Sequence, residues 1–366
     1  GRGRRINQLE ADSKGCGPDP IINGAECEPY ISCDDMLMRE QAAEILAGSL
    51  ELCDLLGAEQ CIVAIERDKP QAITAIRDAA AQFEDSRLHL AELPSIYPAG
   101  GERQLVELLI DAEVPAGSYP ADIGIICQNV GTARAVHLAL TNHQPLINRV
   151  VTLTGSGLAE PQNVYARIGT LISDLIAHHG GYGEDPAALI IGGSMMGIAQ
   201  PSDAIPVSKA TNCILVPDSR EFGAARPEWP CIRCGECAGA CPARLLPQEL
   251  LRASQRSNAD MLETLGVRDC IECGCCDAIC PSHISLTQRF IGAKRLLAAR
   301  EEAQQFAAAS QSRFDVRTDR LIAEEERRFE EQEALRASIS DEDEKQRAIA
   351  AALERTRRAR DKGAEH

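Results

Sequence analysis

Eight of the 16 cysteines fall into two runs with the same spacing. Each run reads C-x2-C-x2-C-x3-C and is followed by proline. The runs are Cys231, Cys234, Cys237 and Cys241, and then Cys270, Cys273, Cys276 and Cys280. This is the spacing of bacterial two-cluster ferredoxins, in which thiolates bind iron–sulfur clusters. The spacing therefore predicts two [4Fe–4S] clusters that pass single electrons between them.

The fourth cysteine of such a run binds the cluster of the other run. Cluster 1 is therefore predicted to use Cys231, Cys234, Cys237 and Cys280. Cluster 2 is predicted to use Cys241, Cys270, Cys273 and Cys276. Because each run supplies one ligand to the other cluster, the two clusters are expected to lie close together as a two-site electron relay.

A pair of zinc sites is the alternative for the same thiols. Zinc usually takes two C-x2–4-C pairs separated by a longer loop, and the three consecutive cysteines plus C-P disfavour it. Cys275 lies inside the second run but off register. We expect it to be a small core residue or a hydrogen-bond neighbour of cluster sulfide, and not a ligand. Cys53, Cys61 and Cys127 lie among apolar residues and are expected to be buried small hydrophobes.

The charge of the chain argues against nucleic acid as a partner. The net charge is −17, and residues 1–290 hold 22 Lys and Arg against 38 Asp and Glu. An acidic body repels a phosphate backbone. No stretch approaches the roughly 18 consecutive apolar residues of a membrane span. The chain starts with Gly1 and not Met, so we expect an incomplete N-terminus.

Strand-like and helical patterns alternate between residues 41 and 149. Strands that alternate with helices favour βαβ units and a parallel sheet covered on both faces. The predicted helices are 41–56, 69–82, 103–110 and 131–140, and the predicted strands are 60–65, 87–93 and 123–127.

Three further patterns follow along the chain. A small α+β segment extends to about Val216 and is predicted to contain strand 150–153 and one helix, 164–177. Residues 247–265, between the cysteine runs, have helical spacing. Beyond Gln288 the sequence is rich in Ala, Glu and Arg and predicts a charged helical tail, either a solvated spacer or a partner-binding arm.

Three segments before the cysteine runs carry a family resemblance. They read I-N-G-A-E-C-E-P-Y (22–30), Y-P-A-G-G-E-R-Q-L (97–105) and Q-N-V-G-T (128–132). In this order, and ahead of the paired runs, they make the chain resemble the C-subunit of the Rnf-type ion-translocating electron-transport complex. That protein is similar to the flavin-bearing, NADH-oxidising subunit of respiratory complex I. The resemblance covers residues 21–297.

The resemblance implies residues for flavin mononucleotide (FMN) and NADH. The complex I relative has an N-A-D-E-x-E-P segment, which is matched here with Ala25 in place of Asp. Its G-E-E segment is matched with Arg103 in place of the second Glu. The matching residues are Asn23, Glu26, Glu28, Gly101, Glu102 and, from the N-N pair, Asn129. Carboxylates and amides suit ribityl hydroxyls and the nicotinamide amide. The alternative is that Glu26 and Glu28 cap a turn.

The resemblance also implies the domain order of an α/β protein. Residues 192–197, G-G-S-M-M-G, match the signature turn of a β-grasp domain of the soluble-ligand-binding type. The expected domains are a parallel-sheet flavin and NADH domain (1–147), the β-grasp domain (148–218), a helical two-[4Fe–4S] ferredoxin-like domain (219–292) and the charged helical tail (293–366).

The chain departs from the family pattern at its start. The family has a glycine-rich G-G-A-x-F-P-T loop and a Lys that hold the flavin phosphate, and residues 1–20 contain no such loop. Arg2, Arg4, Arg5 or Lys14 could supply charge but not a row of backbone N–H groups. Either the chain starts inside the loop, or this variant binds flavin poorly.

The resemblance implies a peripheral subunit on the cytoplasmic face of a bacterial inner membrane. It would relay electrons from the NADH or ferredoxin side for a translocase that couples them to ion movement. Its partners would be other subunits of the complex, including membrane-embedded ones and another iron–sulfur subunit. Two alternatives stay open: an iron–sulfur module without a working flavin site, and an assembly subunit whose tail recruits membrane partners.

Overall fold

The computed structural model describes residues 18–223, 226–339 and 342–362. Arg2, Arg4, Arg5 and Lys14, considered above for the flavin phosphate, lie outside the described residues. The chain divides into two compact units, Gly1–Leu296 and Leu297–His366. Among the described helices, none is long and apolar enough to span a membrane.

A four-stranded sheet forms the first part of the larger unit. All its strands are parallel, in the order β3-β2-β1-β4. In chain order the elements are β1 (Asp19–Gly24), α1 (Cys33–Glu40), α2 (Ala42–Leu56), β2 (Cys61–Glu66), α3 (Pro70–Phe83), β3 (Leu88–Leu93), α4 (Glu102–Ile110), β4 (Ile125–Asn129) and α5 (Val130–Asn142). The predicted parallel sheet is confirmed, and β1, which the sequence patterns did not predict, lies at its centre.

Alternate residues of the central strands pack on opposite faces of this sheet. Ile22 and Val63 belong to the core shared with α1, α2, α3 and α5. Ile21 and Ile62 belong to the core that contains Leu105 of α4. The period of two along each strand therefore buries both faces.

Helices α2 and α5 cross at a glycine. A Cβ atom on Gly48 would lie 1.8 Å from the carbonyl oxygen of Ala133. Only glycine lets the two backbones approach this closely, so Gly48 fixes where the helices pack on the sheet.

The second sheet has five strands in the order β6-β5-β9-β7-β8. Strands β5 and β9 are parallel, and the other neighbours are antiparallel. Helix α6 buries Ile172, Leu175 and Ile176 in the core of this domain. The elements are β5 (Asn148–Thr154), β6 (Gln162–Arg167), α6 (Ile172–His178), β7 (Ile190–Ile191), β8 (Ile198–Ala199) and β9 (Cys213–Leu215).

The helix predicted over 164–177 is wrong in its first part. Val164 and Ala166 are buried while Tyr165 and Arg167 are exposed, which is the alternation of strand β6. Gly169 then turns the chain with φ +96°, and helix α6 starts only at Ile172.

The cysteine runs lie in a domain of short helices. Its elements are α7 (Ser219–Phe222), α8 (Glu236–Gly239), α9 (Pro247–Gln255), α10 (Ala259–Thr264) and α11 (Cys275–Ala278). Residues 247–265, predicted as helical, form the two helices α9 and α10. They are separated at Ser257, where φ is +48°, and Asn258 caps α10 by accepting a hydrogen bond from the N–H of Met261.

Two short 3-10 helices, Pro120–Ile123 and Val267–Asp269, lie in the loops of the larger unit. The chain continues with the long helices α12 (Leu286–Ile339) and α13 (Glu342–Lys362). The predicted helical tail is confirmed. In the unit Leu297–His366, the side chains of Phe306, Phe314 and Phe329 are exposed.

Candidate electron-transfer site

The thiols of the two cysteine runs line two cavities. Cys231, Cys234 and Cys237 of the first run share one cavity with Cys280 of the second run. Cys241 of the first run shares the other cavity with Cys270, Cys273 and Cys276. The structure thus brings together the eight predicted ligand residues in the two crossed groups of four, although ligation itself stays a prediction.

Both runs have the same backbone geometry. The residue before the second cysteine of each run has positive φ, +59° at Arg233 and +60° at Glu272. The glycine after that cysteine is also left-handed, with φ +84° at Gly235 and +77° at Gly274. Each glycine is followed by a one-turn helix, α8 or α11, that carries the third cysteine. The repeated turns wrap each loop around its cavity.

The two groups differ in exposure. Cys231 and Cys234 are exposed, whereas Cys273 and Cys276 are buried. Burial raises the pKa of the Cys270 and Cys276 thiols, so these thiols would be neutral without a bound cation. Iron would supply the positive charge that keeps four converging thiolates ionised, so the donor set fits a cluster.

Cys275 also lines the second cavity. It is half-buried, and desolvation raises the pKa of its thiol to about 12. It lies at the start of α11, next to the predicted ligand Cys276. Its place fits a neighbour of the cluster, and the prediction that it is not a ligand stays a prediction.

Two groups outside the cysteine runs hold the loop of the second cavity. The Lys294 ammonium donates to the carbonyl oxygen of Cys270 at 2.5 Å and pairs with Glu272 at 2.6 Å. The N–H of Thr287 donates to the carboxylate of Asp277 at 2.9 Å. Sequence spacing gave no signal for these contacts.

Asn23 lies at the carboxyl end of β1, where the flavin contacts were predicted. Its Nδ2 donates to the carbonyl oxygen of Gly100 at 2.9 Å, and its Oδ1 accepts from the N–H of Ala25 at 3.0 Å. The N–H of Gly100 donates to Cys27 Sγ at 3.3 Å, and a Cβ on Gly100 would lie 2.6 Å from the Ala25 carbonyl oxygen. Asn23 therefore ties β1 to the loop before α4.

Glu26 is buried and caps helix α1. Its carboxylate accepts hydrogen bonds from the N–H groups of Asp34 at 2.8 Å and Asp35 at 3.2 Å. Lys69 lies 3.9 Å away. Burial and the nearby charge of Asp34 raise the pKa of Glu26 to about 7, against the opposing effect of these donors.

Asn129 joins the same network from β4. Its Oδ1 accepts from the N–H of Gly131 at 2.8 Å and so caps α5, and its Nδ2 donates to Asp34 at 2.6 Å. Gly101 precedes helix α4, and Glu102 is exposed in the first turn of that helix. Five of the predicted residues therefore fall into two groups. Asn23 is bonded to the loop that contains Gly101 and precedes Glu102, and Glu26 is connected to Asn129 through Asp34.

Glu28 faces a different domain. Its Oε1 accepts from the N–H groups of Met195 at 2.6 Å and Met196 at 2.9 Å, in the predicted β-grasp turn. The hydroxyl of Tyr97 donates to the carbonyl oxygen of Cys273 at 2.7 Å. Sequence reasoning noticed the Tyr97 segment only as part of a resemblance and missed its contact with the cysteine loop.

A half-open cavity of about 520 Å³ lies beside Asn129. Arg134, Arg149 and Lys209 line it, but of the six predicted flavin residues it contains only Asn129.

Several polar groups at the sheet edge are already engaged by Glu26. At the edge formed by Asn23 and Glu26, Lys69 is paired with Glu26. A phosphate needs a row of free N–H donors, and within the described ranges those of Asp34 and Asp35 are taken by Glu26. These two N–H groups are therefore not free for a phosphate.

Three family matches cover most of the globular part of the chain. Residues 10–138 match the Nuo51 FMN-binding domain. Residues 150–199 match the SLBB domain, and residues 226–281 match the 4Fe-4S dicluster domain. The chain thus has an FMN-binding domain and a dicluster domain, as the cofactor prediction required.

Curated relatives carry one shared name. The C-subunit of the ion-translocating oxidoreductase complex of Erwinia tasmaniensis is 45% identical over 335 residues, which are 92% of this chain and 41% of the relative. The protein of the same name from Pseudomonas aeruginosa is 47% identical over 313 residues, 85% of this chain and 40% of the relative. The chain is a homologue of this C-subunit. It spans about two-fifths of the length of these relatives.

A solved structure has a similar fold. The NAD+-reducing [NiFe]-hydrogenase in the H2-reduced state matches 76% of this chain and 56% of its own, with a TM-score of 0.51 and 19% identity. At this identity the match shows the fold alone. Together with the family matches it confirms the predicted α/β class with FMN-type, β-grasp and dicluster domains.

Proposed function

We propose that this chain is the electron-transfer part of such a C-subunit and relays single electrons through two [4Fe–4S] clusters. The observation that carries the proposal is the convergence of eight thiols in two groups of four. Cluster 1 takes Cys231, Cys234, Cys237 and Cys280, and cluster 2 takes Cys241, Cys270, Cys273 and Cys276. The match to the dicluster domain favours iron–sulfur clusters over zinc.

The position of the two cavities suggests their order in the relay. The cavity of cluster 2 lies against the parallel-sheet domain, since the Tyr97 hydroxyl donates a hydrogen bond to the Cys273 carbonyl oxygen and Arg103 forms an ion pair with Asp269 at 3.4 Å. The cavity of cluster 1 has the exposed thiols Cys231 and Cys234. Cluster 2 is then the inner cluster and cluster 1 exchanges electrons with a partner protein.

In this proposal FMN and NADH bind at the edge of the parallel sheet. A flavin held there would supply the chemistry that converts the two electrons of one hydride into single electrons. The residues proposed to shape the flavin and nicotinamide region are Asn23, Glu26, Glu28, Gly101, Glu102 and Asn129. The side-chain bonds of Asn23, Glu26 and Asn129 within the chain fix that edge in place, and Glu28 borders it from the side of the β-grasp turn.

The name of the relatives places them in an ion-translocating complex with several subunits. We extend this to a peripheral position on the cytoplasmic face of a bacterial inner membrane. The partners would be membrane-embedded subunits and another iron–sulfur subunit of the complex, and electron flow would be coupled to ion movement there.

The alternative function is an iron–sulfur module that takes electrons from another protein without a working flavin site. The observation that favours it is that the N–H groups of Asp34 and Asp35 and the ammonium of Lys69, at the sheet edge, are already engaged by Glu26. Reduction of the clusters by NADH, with and without added FMN, separates the two functions. Clusters that NADH fails to reduce even with added FMN, but that a one-electron reductant does reduce, would support the module.

The test of the relay is the metal content of the chain purified and reconstituted without oxygen. We expect about eight iron and eight sulfide per chain, four for each [4Fe–4S] cluster. Electron paramagnetic resonance should show two signals as a reductant is added. About four iron per chain, or stoichiometric zinc, would contradict the proposal.

A further inference from the structure

The β-grasp turn at residues 192–197 lies between the parallel-sheet domain and the loop of cluster 2. On the sheet side it contacts Glu28. One carboxylate oxygen of Glu28, Oε1, accepts hydrogen bonds from the N–H groups of Met195 at 2.6 Å and Met196 at 2.9 Å. A carboxylate that accepts two backbone N–H groups makes charge-assisted bonds, which are stronger than neutral ones.

The glycines of this turn are required by the contact. A Cβ on Gly193 would lie 2.0 Å from Glu28 Cγ. A Cβ on Gly197 would lie 2.1 Å from the carbonyl oxygen of Gly193, and Gly192 has φ +101°. The turn is therefore folded tightly against Glu28, with no room at Gly193 even for a methyl group.

The same turn reaches the cysteine loop on its other side. A Cβ on Gly274 would lie 3.1 Å from the carbonyl oxygen of Met195 and 3.7 Å from its methyl carbon. Gly274 directly follows Cys273, a proposed ligand of cluster 2, and has φ +77°. Met195 thus contacts Glu28 through its N–H and packs on Gly274 through its carbonyl and side chain.

Tyr97 makes the second contact with this loop. Its hydroxyl donates to the Cys273 carbonyl oxygen at 2.7 Å, and its ring comes from the loop that Asn23 ties to β1. The loop of cluster 2 is therefore held at neighbouring residues, Cys273 and Gly274, by two different domains. The β-grasp turn is thus in contact with Glu28 on one side and lies beside Gly274 on the other.

We propose that Glu28 and Tyr97 are positioning residues that clamp the cluster 2 loop to the parallel-sheet domain, Glu28 through the β-grasp turn and Tyr97 directly. In this arrangement the turn acts as a spacer between the two domains. The effect on electron transfer rests on the proposed function, whereas the clamp itself is a matter of geometry.

Four variants of the full chain test the clamp. Glu28→Gln keeps an oxygen that can accept both N–H groups, and Glu28→Leu removes it. Tyr97→Phe removes one hydroxyl. Tyr182→Phe is the matched control, because its hydroxyl also donates one hydrogen bond, to Asp203 at 2.9 Å inside the β-grasp domain.

Hydrogen exchange at the Met195 and Met196 amides is the first measurement. Glu28→Leu should speed their exchange about 10- to 100-fold, the range for loss of hydrogen bonds to a charged acceptor. Glu28→Gln should restore most of the protection. The proposed clamp is wrong if these amides exchange as fast in Glu28→Gln as in Glu28→Leu. It is also wrong if they exchange as slowly in Glu28→Leu as in wild type.

Electron paramagnetic resonance is the second measurement. Tyr97→Phe should shift the potential and line shape of the cluster 2 signal, identified as the one lost in Cys270→Ser, and leave cluster 1 and the iron content unchanged. Tyr182→Phe should shift neither. No shift in Tyr97→Phe, or equal shifts of both signals, would overturn the role of Tyr97. A wild-type chain without eight iron would instead reject the proposed relay and leave the exchange result to judge the clamp.

Discussion

Replacing Glu26 by Gln should remove a large part of the pH dependence of local stability at the sheet edge. The pKa of Glu26 is raised from 4.5 to about 7, chiefly by burial. The folded chain then holds this proton more tightly than the unfolded chain. The stabilisation is fully present below pH 4.5 and is lost as pH rises through 7.

The size of this effect follows from the two pKa values. At about 1.36 kcal/mol per pH unit, the difference between 4.5 and about 7 corresponds to about 3 kcal/mol in total. About 2 kcal/mol of this falls between pH 5.5 and 8, a range that avoids strong acid. Because Glu26 accepts the N–H groups of Asp34 and Asp35, opening of helix α1 releases it.

The assay is native-state hydrogen exchange of the amides in α1, Cys33–Glu40, at several pH values after correction for intrinsic exchange. In wild type the free energy of opening should fall by about 2 kcal/mol from pH 5.5 to 8. Glu26→Gln cannot ionise and should lack this fall. Glu40→Gln, at the exposed end of the same helix, should behave as wild type. Parallel profiles for Glu26→Gln and wild type would refute the reasoning. They would point to Asp34 on the same helix or to Glu66, because burial raises the pKa of both carboxyl groups.

Three more predictions address the clusters, the flavin and the packing of the sheet domain. Cys280→Ser should damage a different resonance signal from Cys270→Ser, while Cys275→Ala keeps both; loss of the same signal in the two serine variants would reject the crossed ligation. A chain extended by the family's glycine-rich loop should bind FMN about 10- to 1000-fold more tightly than residues 1–366 in fluorescence titration, and tight stoichiometric binding by 1–366 alone would contradict this. Gly48→Ala should lower the free energy of unfolding by about 1–3 kcal/mol in urea, despite the better helix propensity of Ala, because its methyl group would meet Ala133. Gly292→Ala, where the added carbon has no neighbour within 4 Å, is the control and should not destabilise the chain.

The sequence patterns predicted elements well where a long apolar run is buried. Helix α2 and strand β2 lie within a residue or two of the predicted 41–56 and 60–65. Strand β1 was missed because only Ile21 and Ile22 stand between Pro20 and Asn23, too short a run to show a period. Segment 164–177 was misread because a short strand and a following helix together imitate helical spacing.

The cluster cysteines and the predicted flavin residues differ in how much of their role can be predicted from neighbouring sequence. Ligand spacing in a cysteine run is set by the loop itself, so the sequence carries it in full. The partners of Glu28 lie 167 and 168 residues away in another domain. No spacing within I-N-G-A-E-C-E-P-Y reports that contact, because it depends on how two domains pack. Resemblance could indicate that Glu28 matters, but only the structure shows what it touches.

Because the ligation is crossed, the clamp at Cys273 restrains both clusters and not only cluster 2. In the proposed arrangement Cys241 belongs to the first run but binds cluster 2, and Cys280 belongs to the second run but binds cluster 1. If either run moved relative to the sheet domain, it would therefore displace ligands of both clusters. The contacts that Tyr97 and Met195 make with the second run therefore also fix cluster 1, although its thiols Cys231 and Cys234 are exposed. A partner protein that approaches these thiols meets a cluster whose distance from the inner one is already set.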